Sequence, residues 1–564
     1  MSVNKLTQLP DWTHNYVHPC AWDLPFPPLA LPDMLAQSAE SAPSAPLVEF
    51  MGRRYSYAQI LAEARAFAAG LQAIGIAKGD RVGLFLPNVP IYVPAYYGAM
   101  IAGACVVNFS PLYSVEELET QVADSGTRLM VTLDVPALLP TALKVLGGSG
   151  LERLVVGRMA QMLPWVKGLA LRTLGHKQLA PLPDAVNVCD WRSMLSRQQP
   201  RPVAIDPLLD LALLQYTGGT TGTPKGAMLT HQNLSANARQ IQAVDPRQHE
   251  RDMILGVLPL FHVFANACVL NRTVVNGGCI AMLPRFDAGK ALATLQRVKA
   301  TTMPGVPTMY QALLDHPKLA STDFSSLRVC ISGGAPLPAP VKARFEAATG
   351  ARLVEGYGLT ETSGVVSTNP YEGADQTGTI GQPLPATRLR LLDKEDPAKD
   401  APLGEPGELA VRGPQIMQGY WNRPEAAASA FAQRGGEAWL RTGDVAVIQT
   451  DGFVRIVDRT KDMIAVGGFK VFPSQVEAVL LQHPAVRECL VLGMTDAYLG
   501  EVPRAFVTLD PEGPEVDGAT LKNWLNSRVG KHERVDAVMI RLNLPKTMIG
   551  KLDRKALRAQ VAAE

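Results

Sequence analysis

"QYTGGTTGTPKGAMLTH", residues 215–231, holds four glycines, five threonines and one lysine in seventeen positions. Such a run has too little apolar surface to bury itself as a helix or strand, yet apolar stretches flank it on both sides. Glycines let backbone N–H groups turn towards an anion, threonine hydroxyls add donors, and Lys225 adds positive charge. That is the chemistry of a phosphate cradle. It is not a Walker A loop, because that pattern requires Ser or Thr directly after the lysine and here Gly226 follows Lys225.

Working outward, the run sits at the end of one of many short apolar segments. "RVGLFLP", "CVVNFS", "LALLQYTGG", "MILGVLP", "CIAMLPR", "LRVCISGG" and "ARLVEGYG" each stop at Gly, Ser, Thr or Pro and alternate with helix-like stretches. Strands buried on both faces, each followed by a crossover, predict an α/β fold with largely parallel sheets. Ligands in such folds lie beyond the carboxyl ends of strands, where these Gly/Thr clusters fall. "SVEEL" at Ser114 matches a capping box and opens a helix, and the same signal recurs at Ser474 and Glu477, ahead of Pro484. Near Asp458 the chain turns charge-rich and then glycine-rich, which marks a domain boundary at 455–461.

At 564 residues the chain exceeds what one core supports, so two or more domains are expected. A net charge of +2 with no basic stripe excludes a nucleic-acid binder. The seven cysteines are scattered, without CxxC spacing, and point to free thiols in a reducing cytosol. Val82 to Val115 carries no charge and is long enough to cross a bilayer. Pro87, Pro90 and Pro94 interrupt it, so a strand, a helix and a second strand are expected there instead.

Three further segments carry chemistry. In "EGYGLTE" (355–361) Tyr357 offers a ring for a base to stack on, and Glu361 is a hard oxygen ligand suited to Mg²⁺. In "WLRTGD" and "DRTKD", Asp444 and Arg459 form an acceptor and donor pair matched to a ribose diol. "PKTMIGKLDRKAL" (545–557) brings Lys551 in a basic tail. Singly, each reads as solvated surface.

In this order, with "ISGGAPLP" (331–338), "GYWNRPE" (419–425) and "GGFKVFP" (467–473), they resemble the adenylate-forming superfamily of acyl-CoA synthetases, luciferases and adenylation domains. The resemblance spans roughly residues 45–560 and is nearest to bacterial long-chain fatty acid–CoA ligases. It implies a large N-terminal domain of layered, mostly parallel sheets (1–457) and a small mobile α+β C-terminal domain (458–564). The implied reaction joins a fatty acid to ATP as acyl-AMP, releasing pyrophosphate, and then moves the acyl group to coenzyme A. ATP, Mg²⁺ and CoA are the implied cofactors and co-substrates. Alternatives are an acyl-AMP ligase loading a carrier protein, a CoA ligase for shorter or aromatic acids, and an inactive nucleotide-binding scaffold.

By the same resemblance Lys551, Glu361 and His262 are the catalytic candidates. Tyr216, Thr217, Gly218, Gly219, Thr220, Thr221, Gly222 and Lys225 hold phosphates, with Thr220 and Glu361 at the metal and Thr360 near the α-phosphate. Gly334, Ala335, Glu355, Gly356, Tyr357 and Gly358 line the adenine pocket, and Asp444 and Arg459 hold the ribose. Lys461 is the hinge, and Gly467, Gly468, Phe469 and Lys470 line the CoA tunnel. Phe261, Phe264, Asn266 and Val306 belong to the acyl pocket. Asn266 stands where some fatty-acyl members carry an aromatic gate, so chain length is not legible there.

Between Glu152 and Asp184 there is no acidic residue, while Arg158, Lys167, Arg172 and Lys177 are basic and Trp165, Leu169, Leu171 and Leu174 apolar. That mixture suits peripheral contact with a membrane. A cytoplasmic monomer or homodimer, peripheral at the inner face of the cell membrane, is the expectation.

Overall fold

The computed structural model describes residues 12–564 apart from 218–223, 374, 394–395, 403, 460–461, 467–468, 497 and 548–549, and gives only the backbone of 12, 459, 469 and 470. The uncharged stretch after Arg81 folds as expected: strand Arg81–Leu84, helix Tyr92–Ile101 and strand Cys105–Asn108, with helix residues 92–100 all buried. No helix among the described residues is long and apolar enough to cross a membrane.

These strands belong to an eight-stranded sheet. Leu211–Thr217, Cys105–Asn108, Arg81–Leu84, Thr127–Leu133, Arg153–Gly157 and Val188–Asp190 lie side by side in parallel. A nine-stranded sheet has a parallel centre built from Pro46–Phe50, Met253–Gly256, Cys279–Met282, Thr302–Gly305, Val329–Ser332 and Arg352–Tyr357. Both match the expectation of apolar runs buried on two faces. One large apolar cluster joins residues from the two sheets, with Val106, Val107, Ile254 and Ile280 wholly buried in it.

Three further features stand beside these two sheets. First, residues 388–459 form a separate antiparallel sheet of Arg388–Leu392, Gly407–Arg412, Phe431–Arg434, Glu437–Ile448 and Val454–Arg459. Second, the last of these strands runs to Arg459, inside the 455–461 stretch where the boundary is expected. Third, the capping box at Ser114 forms in both directions, with Ser114 Oγ accepting from Glu117 N–H at 3.2 Å and Glu117 accepting from Ser114 N–H at 2.8 Å. The one expected at Ser474 does not form. Helix Pro473–Leu480 begins two residues earlier than that box would start it, Ser474 Oγ donates to Val457 O at 2.6 Å, and Glu477 instead accepts from Val491 N–H and Arg554. Both side chains tie the small domain together and to the strand before it.

The C-terminal part has its own sheet, in which Val486–Asp496 and Gly500–Leu509 form a long hairpin. Helices Pro473–Leu480 and Gly518–Asn526 cover it, and Val476, Leu480, Val491, Leu521 and Leu525 form a core distinct from that of the large body. A separate core is what lets such a unit move as one piece.

Candidate active site

The segments on either side of the glycine- and threonine-rich core are strands that pair with each other. Strand Leu211–Thr217 pairs antiparallel with Lys225–Thr230, and Thr217 sits opposite Lys225. Gly218, Gly219, Thr220, Thr221 and Gly222 fall outside the described residues. The hairpin arms present Tyr216, Thr217 and Lys225 to a cleft of ≈ 2410 Å³ whose walls come from both domains. The Tyr216 hydroxyl is committed elsewhere, donating to Asp124 Oδ2 at 2.6 Å. Only its backbone is left to serve a phosphate.

Strand Arg352–Tyr357 ends at the same cleft and passes into a 3₁₀ turn, Thr360–Thr362. Gly358 is required here, because a Cβ would lie 2.8 Å from Val365 Cα and closer still to the Gly364 carbonyl. The turn brings Glu355, Gly356, Tyr357, Thr360 and Glu361 to the cleft wall. Burial pushes the Glu355 carboxyl up to about 8, against the pull of the Leu337 amide and Lys342.

Asp444, 2% exposed, lies in strand Glu437–Ile448 directly opposite Arg459 in register. Tyr357 OH donates to its carboxylate. The group expected to stack on a base and the group expected to hold a ribose are therefore coupled. Glu408, not anticipated from sequence, braces the same loop: it accepts from Arg441 at 2.7 Å and from Gly443 N–H at 3.2 Å. Arg441 holds that loop in shape through a charge-assisted pair.

Lys551 reaches into the cleft from the small domain. Gly550 N–H donates to Thr547 O at 2.9 Å and Lys551 N–H to Thr547 Oγ1 at 3.2 Å. Thr308 Oγ1 of the large domain donates to Gly550 O at 2.9 Å, and Arg487 pairs with Asp315 across the same interface. The Lys551 ammonium then lies over Gly334, where a Cβ would be 2.7 Å from its Nζ. Next to it, burial and then the Lys551 charge lower His262 to about 3, so its imidazole is neutral near pH 7. His262 Nδ1 accepts from Phe264 N–H at 3.3 Å, which fixes the ring.

The cleft also has apolar lining. Phe261, Phe264 and Val306 are part of it, joined by Ile241, Cys268 and Val365, which sequence reasoning did not pick out. Asn266 is a correction. It is fully buried in the π-helical turn Asn266–Asn271, accepting from Tyr96 OH at 3.2 Å and Asn271 Nδ2 at 2.8 Å, and does not line the cleft. Arg459, Phe469 and Lys470 are described by backbone alone, with Phe469–Val471 a short strand of the small sheet, and Lys461, Gly467 and Gly468 lie outside the described residues.

Among the described residues no cluster of three or more His, Cys, Asp or Glu side chains forms a dedicated metal cage. Glu361, which lines the cleft, is a hard oxygen ligand of the kind that suits Mg²⁺, a cation that keeps its waters and takes nucleotide oxygens.

Residues 35–421 match the model of the AMP-binding enzyme family, and residues 475–551 that of the AMP-binding enzyme C-terminal domain. The chain is 38% identical over 552 residues to the long-chain-fatty-acid–CoA ligase of Bacillus subtilis (strain 168), covering 97% of each protein. Its fold is similar to that of the anthranilate CoA ligase AuaEII in complex with anthranoyl-AMP (TM-score 0.83, 27% identity, 96% of this chain and 99% of that one). ATP-bound MatB from Rhodopseudomonas palustris is also similar (TM-score 0.81, 28% identity, 94% and 99% covered). Motif order, the two-part fold and coverage from end to end agree: the chain belongs to the AMP-binding, adenylate-forming enzyme family.

Proposed function

We propose that this enzyme is a fatty acid–CoA ligase acting on long-chain acids. The observation that carries the reading is a single cleft lined by Lys225, Glu361 and Asp444 and also by the apolar Ile241, Phe264 and Cys268, with Lys551 over Gly334 in its wall. A fatty carboxylate is ionised at pH 7, so its attack on the α-phosphorus needs no general base. The barrier is the approach of two anions and the charge that builds on phosphorus oxygens. Lys551 supplies a cation where carboxylate and α-phosphate meet, and neutral His262 leaves that charge undiluted. Lys225 and the hairpin's N–H groups hold the departing pyrophosphate. Glu361, with Thr220, would hold Mg²⁺, which neutralises phosphate charge. In the second step the CoA sulfur bonds to the acyl carbonyl carbon, AMP leaves, and the thiol proton passes to solvent. That step requires Lys551 to withdraw and another face of the small domain to turn in. Lys461 as its hinge and residues 467–470 as its CoA-facing segment follow the resemblance.

Pyrophosphate release across acids from C2 to C18 and benzoates, with CoA or a carrier protein as acceptor, tests the reading. Turnover is expected to be greatest with C14–C18 acids and to depend on CoA. A maximum with benzoates or acetate, or acceptance of the carrier protein alone, contradicts it.

A second observation bears on where the substrate is met. Helix Trp165–Thr173 buries only Gly168, and Trp165 is 81% exposed and Leu174 89% exposed, with Val166 and Leu169 also in solvent. Exposed Lys167, Arg172 and Lys177 lie among them, with no acid between 152 and 184. We infer peripheral docking on an anionic bilayer, apolar side chains entering the headgroup layer and cations meeting lipid phosphates. Arg158 takes no part, because it pairs with Asp190 at 2.7 Å and holds the fold. The protein is expected to float with vesicles containing phosphatidylglycerol, and W165S/L169S/K167E to stay at the bottom of the gradient. Equal flotation of the two proteins removes this helix as the contact.

A further inference from the structure

Lys225, at the start of strand Lys225–Thr230, and Glu361, in the turn Thr360–Thr362, face the same cleft, and no ion pair joins them among the described residues. A direct Lys–Glu pair there would neutralise both groups and leave neither for phosphate or metal. The side chain between them is Tyr420. Its hydroxyl donates to Glu361 Oε1 at 2.7 Å, and the Lys225 ammonium stands 5.2 Å from its ring centroid, within cation–π range.

Tyr420 is held firmly in that position. The two-residue strand Gly419–Tyr420 pairs with the outer arm of the phosphate hairpin, Gly419 opposite Met228 and Tyr420 opposite Ala227. Trp421 N–H adds a bond to Gly226 O at 2.8 Å. Below it, Asp124 gathers the Tyr216 hydroxyl, Arg423 at 2.9 Å and Trp421 Nε1 at 3.0 Å. On the other side, Met417 N–H donates to Glu361 O at 2.9 Å, so the same chain segment grips Glu361 by backbone and side chain.

We propose that Tyr420 is a positioning residue for magnesium-bound nucleotide. Its hydroxyl occupies one oxygen of Glu361 and aims the other at the metal, while its ring keeps Lys225 away from that carboxylate. A partner behind a metal ligand acts in this way, by fixing orientation rather than by touching the metal. The inference rests on the reading of the cleft as an ATP site, and the test separates the two.

The readout is the rise in melting temperature of the full-length protein on adding ATP, titrated with Mg²⁺ and without any acid or CoA. Wild type is expected to show a Mg²⁺-dependent rise. In Tyr420→Phe the Mg²⁺ midpoint is expected to move up by about ten- to a hundredfold, the loss of one hydrogen bond to a charged group behind the metal. Thioester formation from supplied acyl-AMP, which needs no metal, should stay within about twofold, and the unliganded melting temperature within about 2 °C. In a double-mutant cycle, adding Tyr420→Phe to Glu361→Gln should shift the midpoint no further, because the hydroxyl acts through that carboxylate. An unchanged midpoint in Tyr420→Phe, or additive effects in the cycle, overturns the proposal. Absence of any Mg²⁺-dependent rise in wild type overturns the ATP-site reading itself, and the inference with it.

Discussion

Lys551→Ala is expected to lower ATP–pyrophosphate exchange by about 10²–10³-fold, the cost of removing one preorganised charge donor from a reacting phosphorus. Thioester formation from supplied acyl-AMP should persist. The division follows from position. Lys551 belongs to the small domain, yet its amine lies over Gly334 in the wall of the large one, held there by Thr308 to Gly550 and Arg487 to Asp315. A group delivered by domain closure serves only the step that occurs while the domain is closed. Equal loss in both half-reactions would mean that Lys551 holds the fold or the adenylate rather than the first transition state.

Gly334→Ala is expected to have the next largest effect, about 10²-fold on exchange, comparable to a 1 Å misplacement of a reacting group. Gly334 has φ +81°, a left-handed conformation that L side chains resist, and an added methyl would overlap Lys551 Cε and stand 2.7 Å from its Nζ. The damage should therefore come mainly through Lys551. In a Lys551→Ala background the same change is expected to cost less than about fivefold, and a full further 10²-fold loss there would place the harm in the adenine pocket instead.

Much of this arrangement is legible in the sequence because its parts are local. Glycines at strand ends, the Ser114 cap and the apolar runs depend on neighbours a few residues away, and they fold as read. What fails is what depends on distant partners. Strand Lys225–Thr230, which pairs with Leu211–Thr217, is flanked on its other side by Gly419–Tyr420, some two hundred residues later. Ser474 and Glu477 carry a capping signal, but Val457, Val491 and Arg554 compete for them and win. Asn266 follows His262 in the chain yet joins a buried network with Tyr96 and Asn271, the first of them brought there by a distant helix. Glu408, Asp124 and Tyr420 carry no local signal. Each acts by bonding to a residue from another segment, which only the fold brings within reach.

The central claim is that one cleft makes an acyl-adenylate and then spends it on a thiol. A single-turnover reaction with enzyme in excess over ATP, oleate present and CoA withheld, tests it most directly. The expected products are enzyme-bound oleoyl-AMP and pyrophosphate in equal amounts, and a chase with CoA should convert the adenylate to oleoyl-CoA and AMP. ADP and phosphate in place of AMP and pyrophosphate, or an adenylate that CoA does not consume, would contradict the account.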